Sequence, residues 1–575
     1  MDNQRLLLWA ALGFLLLQVW TSWQQDYAPR PQPGVVTNTT GGDQTDAPPV
    51  VNGPSVNGTS VNGIDQSEPL TAVSPSDDIP TPVSNGETAA VVPQDGGQTT
   101  GADEITVTTD TLKVTISSKG GDINAVRLLQ YPTALETPDD PFVLMNDTDA
   151  EYFVAQSGLQ SSNGDAPNHH ALFNTEQTEY TLQDGQDELK VPLTWQSEDG
   201  VSVTKTYTFK RDRYLIDLDY DIQNNSGAAK SFNQYRQLRR KPVTDDETQN
   251  FIYTFIGGVV STDQDPYEKI KFEDFDDATN QSQTTGGWAA IIEHYFLGAW
   301  IPAQDEVSNV YTKTVGTPRR HIIGLQSGSV QVADGTTGKL QTGFFVGPKI
   351  QSRMKEVAPH LDLTVDYGFL SVIAKPIFWL LHKIHSILGN WGWSIVGVTL
   401  CIKLLFYKLS EASYRSMARM RKLQPEMAAL KERYGDDRAK MGQATMDLYK
   451  KEKVNPLGGC LPIMVQIPVF ISLYWVLLES VELRQAPWIL WIKDLSLLDK
   501  FYVLPLIMGI TMFIQQRLNP APVDPIQAKV FMAMPFIFTV FFAFFPAGLV
   551  LYWVVNNTLS IAQQYYITRH VLAEK

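Results

Sequence analysis

Two hydrophobic periodicities divide the chain. Between about residues 104 and 349 apolar and polar positions alternate. In "YLIDLDYDI", Ile216, Leu218, Tyr220 and Ile222 interleave with Asp217, Asp219 and Asp221, the period of two expected of a strand with one wet face. The preceding "VSVTKTYTF" sets Val201, Val203, Tyr207 and Phe209 on one face, and "KRDR" supplies a hairpin turn between the two runs. With "TLKVTIS", "HYFLGAWI" and "KLQTGFFVG" between Gly and Asp turns, this region predicts a large antiparallel β-sandwich. Beyond residue 390 the alternation gives way to continuous apolar runs at 391–408, 457–479, 500–517, 530–545 and 547–567, each read as a membrane span. The run Leu6–Trp23 is a sixth, about 27 Å long as a helix.

The segments between these parts have their own patterns. Residues 24–103, including "VNGPSVNGTSVNGID", are too poor in apolar residues for a core and read as a flexible linker. Within 350–390, Ser371, Lys375, His382 and Ser386 fall on one helical stripe. Phe369, Ile373, Ile377, Leu380, Leu381, Ile384 and Leu388 cover the other side, which predicts an amphipathic helix in the membrane interface. Between the span 391–410 and the last four spans with their tail (457–575), residues 411–456 space Met417, Met420, Leu423, Met427 and Leu430 at helical intervals, turn at Gly435-Asp436-Asp437, and resume with Met441, Met446 and Tyr449. That is a helical hairpin, with Asp436 or Asp437 as cap and Asn455-Pro456 as stop.

Charge orients the spans. Lys and Arg number 46 against 62 Asp and Glu, a net charge of −16 that comes mainly from the β region and disfavours a nucleic-acid partner. The basic residues instead crowd the hairpin, and the positive-inside rule places it in the cytoplasm. Alternation then leaves both termini cytoplasmic and the β domain (104–349) outside. Arg5 ahead of the first run, the lack of an A-x-A site and Trp20 and Trp23 at its far end predict that residues 1–23 form an uncleaved anchor. Cys401 and Cys460 both fall in spans, so neither a disulfide framework nor a cysteine metal site is expected. His169 and His170 have no third partner at metal-ligand spacing and read as loop residues.

The chemistry lies in the spans. Lys403 sits inside "WGWSIVGVTLCIKLLFYKLS", where an ammonium costs roughly 3 kcal/mol at the bilayer centre unless it snorkels or lines a wet path. Thr399 is four residues before it; Thr511 and Gln515 are four apart; Asn556, Ser560 and Gln563 continue a stripe below Tyr552; Gln466 interrupts another apolar run. A single polar residue of this kind serves helix packing. Several stripes in one small bundle imply a shared polar groove with Lys403 near its cytoplasmic side. A Ser/Lys protease is disfavoured, because Ser394 and Ser410 are too far along the helix from Lys403 and neither H-e-x-x-H nor G-x-S-x-G occurs. A solute transporter would need paired halves that the spans do not display.

Longer motifs carry a resemblance. "LDLTVDYGFL", "LQPEMAALKERYGDD", "YKKEKVNPLGGCLPIMVQIPVF", "SVELRQAPWILWIKDLS" and "FFPAGLVLYWVVNNTLSIAQQ" resemble the YidC membrane protein insertases of Gram-negative bacteria, and the order of parts agrees over essentially the whole chain. The resemblance implies a polytopic α-helical protein of the inner membrane, with six spans, a five-helix insertase core and a large periplasmic β-sandwich. It implies insertion and folding of nascent membrane proteins without a cofactor, metal or catalytic residue, alone or with the Sec translocon and its accessory subunits; the alternatives are a chaperone that acts only beside the translocon, or a solute transporter. The implied substrate groove contains Lys403, where the family usually has arginine, with Thr399, Tyr552 and Trp553, the last replacing a more usual tyrosine. Gln466, Gln515 and Asn556 join it from the stripes above. The hairpin residues Met417, Met420, Arg421, Met427, Asp436 and Asp437 are the expected cytoplasmic contacts, for ribosome and substrate, beside anionic lipids. The short tail "TRHVLAEK" leaves ribosome contact to the hairpin and the 518–529 loop.

Overall fold

The computed structural model describes residues 78–80, 103–243, 254–276, 282–435, 437–452, 461–519 and 525–573. The expected anchor, most of the linker, Asp436 and Cys460 lie outside the described residues.

The β region forms two packed sheets, of eleven and eight strands among the described residues. Pairing is antiparallel except where Glu104–Thr108 meets Glu179–Thr181. The predicted hairpin forms, with Val201–Lys210 paired to Leu215–Asn224 so that Val203 faces Ile222 and Phe209 faces Ile216. Ile216, Leu218, Tyr220 and Ile222 are fully buried, as their alternation requires. One core position breaks the pattern. Lys205 follows Val201 and Val203 on the inner face and is fully buried. Its ammonium donates to the carbonyls of Gly120 (2.8 Å) and Ser157 (3.2 Å) and lies 5.4–5.8 Å from the ring centres of Phe173, Tyr207 and Tyr220.

The helices follow as α1 (Gln351–Val357), α2 (Ser371–Leu388), α3 (Trp391–Leu405), α4 (Tyr407–Lys422), α5 (Gln424–Tyr434), α6 (Arg438–Lys451), α7 (Leu461–Glu479), α8 (Val503–Leu518), α9 (Pro525–Phe542) and α10 (Ala547–Ala573). Asn390 caps α3 by accepting the Trp393 N–H. α2 buries Ala374, Ile377 and Leu381, while Val372, Trp379 and Ile387 are exposed on its other side. The apolar run expected to cross the membrane from 391 breaks at Phe406, where α3 and α4 meet at 67°. Among the described residues no single helix is long and apolar enough to cross a membrane; the bent pair α3–α4 has that length and composition together. α8 and α9 nonetheless present exposed Leu506, Ile510, Phe536, Ile537 and Val540, an apolar outer surface of the kind that seeks lipid or protein.

The β domain and the helices meet in a polar seam. Lys349, after the last strand, pairs with Glu479 at the end of α7; His294 bonds the Leu478 carbonyl at 3.0 Å; Arg484 donates to the Pro132 carbonyl at 2.8 Å.

Candidate functional site

α10 positions most of the site. Tyr552, Asn556 and Ser560 recur every four residues and therefore share one face, and all three are buried. Lys403 stands in the last turn of α3, where the free carbonyl ends of a helix favour a cation. Its Nζ donates to Ser560 Oγ at 2.7 Å, and the Ser560 hydroxyl donates to the Asn556 backbone carbonyl one turn back, also at 2.7 Å. From α7, Gln466 donates to the Asn556 side chain and also bonds the Tyr552 hydroxyl. Three helices thus bring Lys403, Ser560, Asn556 and Gln466 together, with Ser560 bonded to the Asn556 backbone and Gln466 to its side chain.

The bend at Phe406 belongs to this site. Gln563, one turn beyond Ser560, donates to the Tyr407 carbonyl at 3.2 Å and ties α10 to the first residue of α4, just past the bend. Tyr414 on α4 also bonds Ser560, and along the adjoining flank of α10 Asn557 donates to Thr511 at 3.4 Å and Gln564 to Asn519 at 3.0 Å. Tyr414 carries no local signal in the sequence, because its role depends on the bend that turns α4 back against α10.

Other expected groove residues have different surroundings. Thr399 is buried one turn from Lys403, but its hydroxyl donates to its own helix at the Ile395 carbonyl, 2.6 Å away. Trp553 packs on Phe470 at 4.8 Å and Phe542 at 5.7 Å, with its indole N–H buried and unpaired among the described residues. Gln515 is half-buried on α8, and among the described residues no hydrogen bond joins it to the Lys403 chain.

The expected first arm of the hairpin is not continuous: the run Met417–Leu430 breaks at Leu423 between α4 and α5, and α5 packs against α6 across the turn. Asp437 caps α6, accepting the Lys440 N–H at 3.0 Å. Met427 accepts the Tyr449 hydroxyl at 3.2 Å and so serves the hairpin's own core. Met417 and Met420 are half-buried on α4, whereas Arg421 is exposed.

His169 and His170 lie in a turn, as expected of loop residues, but a third partner does converge on them. Each has its Nε2 3.1 Å from a carboxylate oxygen of Asp78, and these three form the group of potential metal ligands that converges among the described residues.

The chain matches the family model described as YidC periplasmic domain over residues 104–380 and the model described as 60Kd inner membrane protein over 383–574. A protein of Thioalkalivibrio sulfidiphilus named membrane protein insertase YidC is 50% identical, with 99% of each chain covered. One of the same name from Methylococcus capsulatus is also 50% identical, again over 99% of each chain. A crystal structure titled as an active YidC insertase is 18% identical at a TM-score of 0.37, covering 81% of this chain and 93% of that one.

Proposed function

This chain belongs to the YidC family of membrane protein insertases, and from that premise we propose that Lys403 and its hydrogen-bonded neighbours form the groove through which substrates enter the bilayer. The protein is an insertase of the inner membrane with a periplasmic β domain, and it is not an enzyme. The observation that carries the proposed site is the Lys403–Ser560 bond at 2.7 Å, inside a bundle whose outer surface is apolar.

The mechanism needs no nucleotide. A polar segment meets its main barrier in the hydrocarbon, and a line of amides, hydroxyls and one ammonium shortens the apolar distance it must cross. Ser560 holds the ammonium, and an acidic group on the substrate is a stronger acceptor than a hydroxyl. Lys403 therefore exchanges Ser560 for the substrate carboxylate and returns when the segment leaves. Partition of the substrate's apolar span into lipid, at about 25 cal/mol per Å² buried, drives the step.

The exposed apolar faces of α8 and α9 support a reading of α3 and α7–α10 as a five-helix core; residues 6–23, as the sixth span, rest on their apolar run alone. The outward Val372, Trp379 and Ile387 support an interfacial α2. The domain limits 1–23, 24–103, 104–349, 350–390, 391–410, 411–456 and 457–575, cytoplasmic termini, and contact of the basic hairpin with ribosomes and anionic lipids belong to the same proposal, as does work beside the Sec translocon. The test is insertion of a single-span substrate with an acidic periplasmic segment into liposomes holding only this protein, scored by protease protection. Wild type protects and Lys403→Leu shows a deficit. Equal protection by both would reduce Lys403 to a structural tie, and no protection by wild type would favour a chaperone that needs the translocon.

A further inference from the structure

One face of the larger β sheet carries polar side chains where a sheet surface is usually apolar or wet. Along the strand Lys230–Arg240, Tyr235, Gln237 and Arg239 point to the same side. Gln160 lies on the neighbouring strand Phe153–Ser161, and Lys313 on Val307–Val315. Gln160 and Gln237 are buried. Each amide oxygen is already engaged: Gln237 Oε1 accepts from Tyr311 at 2.9 Å and Gln160 Oε1 from Gln326 at 2.7 Å. That fixes which end of each amide faces outward, so their N–H groups are aimed before any ligand arrives.

Those donors meet the main chain of Asp78-Ile79-Pro80. Gln237 donates to the Asp78 carbonyl at 3.2 Å, Lys313 to that of Ile79 at 3.2 Å, and Gln160 to that of Pro80. Three consecutive carbonyls are read, and proline brings no N–H that would need an acceptor. The Asp78 carboxylate takes His169 and His170 at 3.1 Å and Arg239 at 3.4 Å. His169 is itself held by Tyr235, whose hydroxyl accepts the His169 backbone N–H at 2.9 Å and lies 2.6 Å from Nδ1. His169 Nε2 is buried and reaches no acceptor at hydrogen-bonding angle.

We propose that this face is a binding site for an acidic peptide of the form Asp-x-Pro, filled in cis by Asp78-Ile79-Pro80 and able to take such a segment in trans once the cis segment leaves. The donors are oriented by bonds within the sheet, not by Asp78, so they persist when it withdraws. The recognition is of carbonyls and one carboxylate, a pattern that an acidic exported segment repeats. The site is separate from the intramembrane groove and does not depend on the reading of Lys403.

The test uses the full chain in detergent and a fluorescent peptide with the sequence of residues 71–85, followed by anisotropy. Occupancy in cis raises the apparent dissociation constant by the inverse of the open fraction. Asp78→Ala in the chain is therefore expected to bind the peptide at least about tenfold more tightly than wild type. A peptide with alanine in place of its second aspartate is expected to bind Asp78→Ala at least about tenfold more weakly, a comparison that leaves the protein unchanged. Absence of binding to Asp78→Ala, or equal affinity for both peptides, overturns the proposal. Binding that requires added zinc and vanishes with EDTA also overturns it, since the carboxylate and both histidines would then be holding a metal.

Discussion

Lys349 Nζ lies 3.3 Å from Glu479 Oε2, with the two side chains only 2% and 8% exposed. The pair joins the β domain to the end of α7, and Lys349 also donates to the Thr364 carbonyl at 3.2 Å. Burying two charges costs nearly as much as their attraction returns, but removing one partner strands the other. Lys349→Met or Glu479→Gln alone is expected to destabilise the folded protein by about 3–5 kcal/mol. The double variant Lys349→Met with Glu479→Gln should recover part of that loss, and thermal unfolding of the four proteins in detergent closes the cycle. Additive losses would mean that the charges do not act as a pair.

At Lys403 the relevant variable is charge, because Ser560 supplies a single acceptor that an ammonium or a guanidinium can use. Lys403→Arg should therefore insert an acidic substrate within about threefold of wild type. Ser560→Ala removes one hydrogen bond while keeping the charge, and should alter insertion less than Lys403→Leu does. The readout is protease protection of one substrate with acidic and neutral periplasmic segments. A Lys403→Leu deficit that is equal for both segments would contradict a role in meeting substrate charge.

The junction should also set a pH optimum for stability. Burial, with the charge of Lys349 nearby, lowers the His294 pKa to about 4, so between there and its ordinary 6.5 the unfolded chain binds more protons than the folded one. Stability then rises with pH across that window and is lost below it. Glu482 is shifted the other way, to about 7, by burial. From its ordinary 4.5 up to about 7 the folded state holds the extra proton, and stability falls as pH rises. Between 4.5 and 6.5 the two slopes oppose and the wild-type profile is nearly level, so His294→Gln should expose a fall in melting temperature toward neutrality and Glu482→Gln a rise from the acid side. A profile unchanged in both variants would remove these groups as its cause.

What could be read from the sequence follows from how local each cause is. Ile216 and Leu218 declared themselves because a period of two is a local property, and the α10 stripe did so for the same reason at a period of four. Lys205 occupies a core position in that same alternation but is the wrong residue type by composition, and only the rings of Phe173, Tyr207 and Tyr220 explain it. The bend at Phe406 has no Gly or Pro to announce it, and the Gln563 contact that ties it to α10 comes from far along the chain. His169 and His170 lacked a third partner because Asp78 arrives from a low-complexity stretch 91 residues upstream of His169.

Gly158 offers a test of the polar face that involves no charge. It stands opposite Tyr235 in the sheet, and a Cβ there would lie 2.6 Å from the Tyr235 hydroxyl, the atom that holds His169. Gly158→Ala must push the ring aside or shift the Asn168 backbone at 2.8 Å, so an overpacking cost of about 1–3 kcal/mol is expected. Gly328→Ala is the control, since its Cβ meets no atom closer than 4.0 Å. A lower melting temperature for Gly158→Ala alone would locate the strain at Tyr235. Equal melting temperatures would mean that the ring has room to move and that His169 is held less firmly than its two contacts with Tyr235 imply.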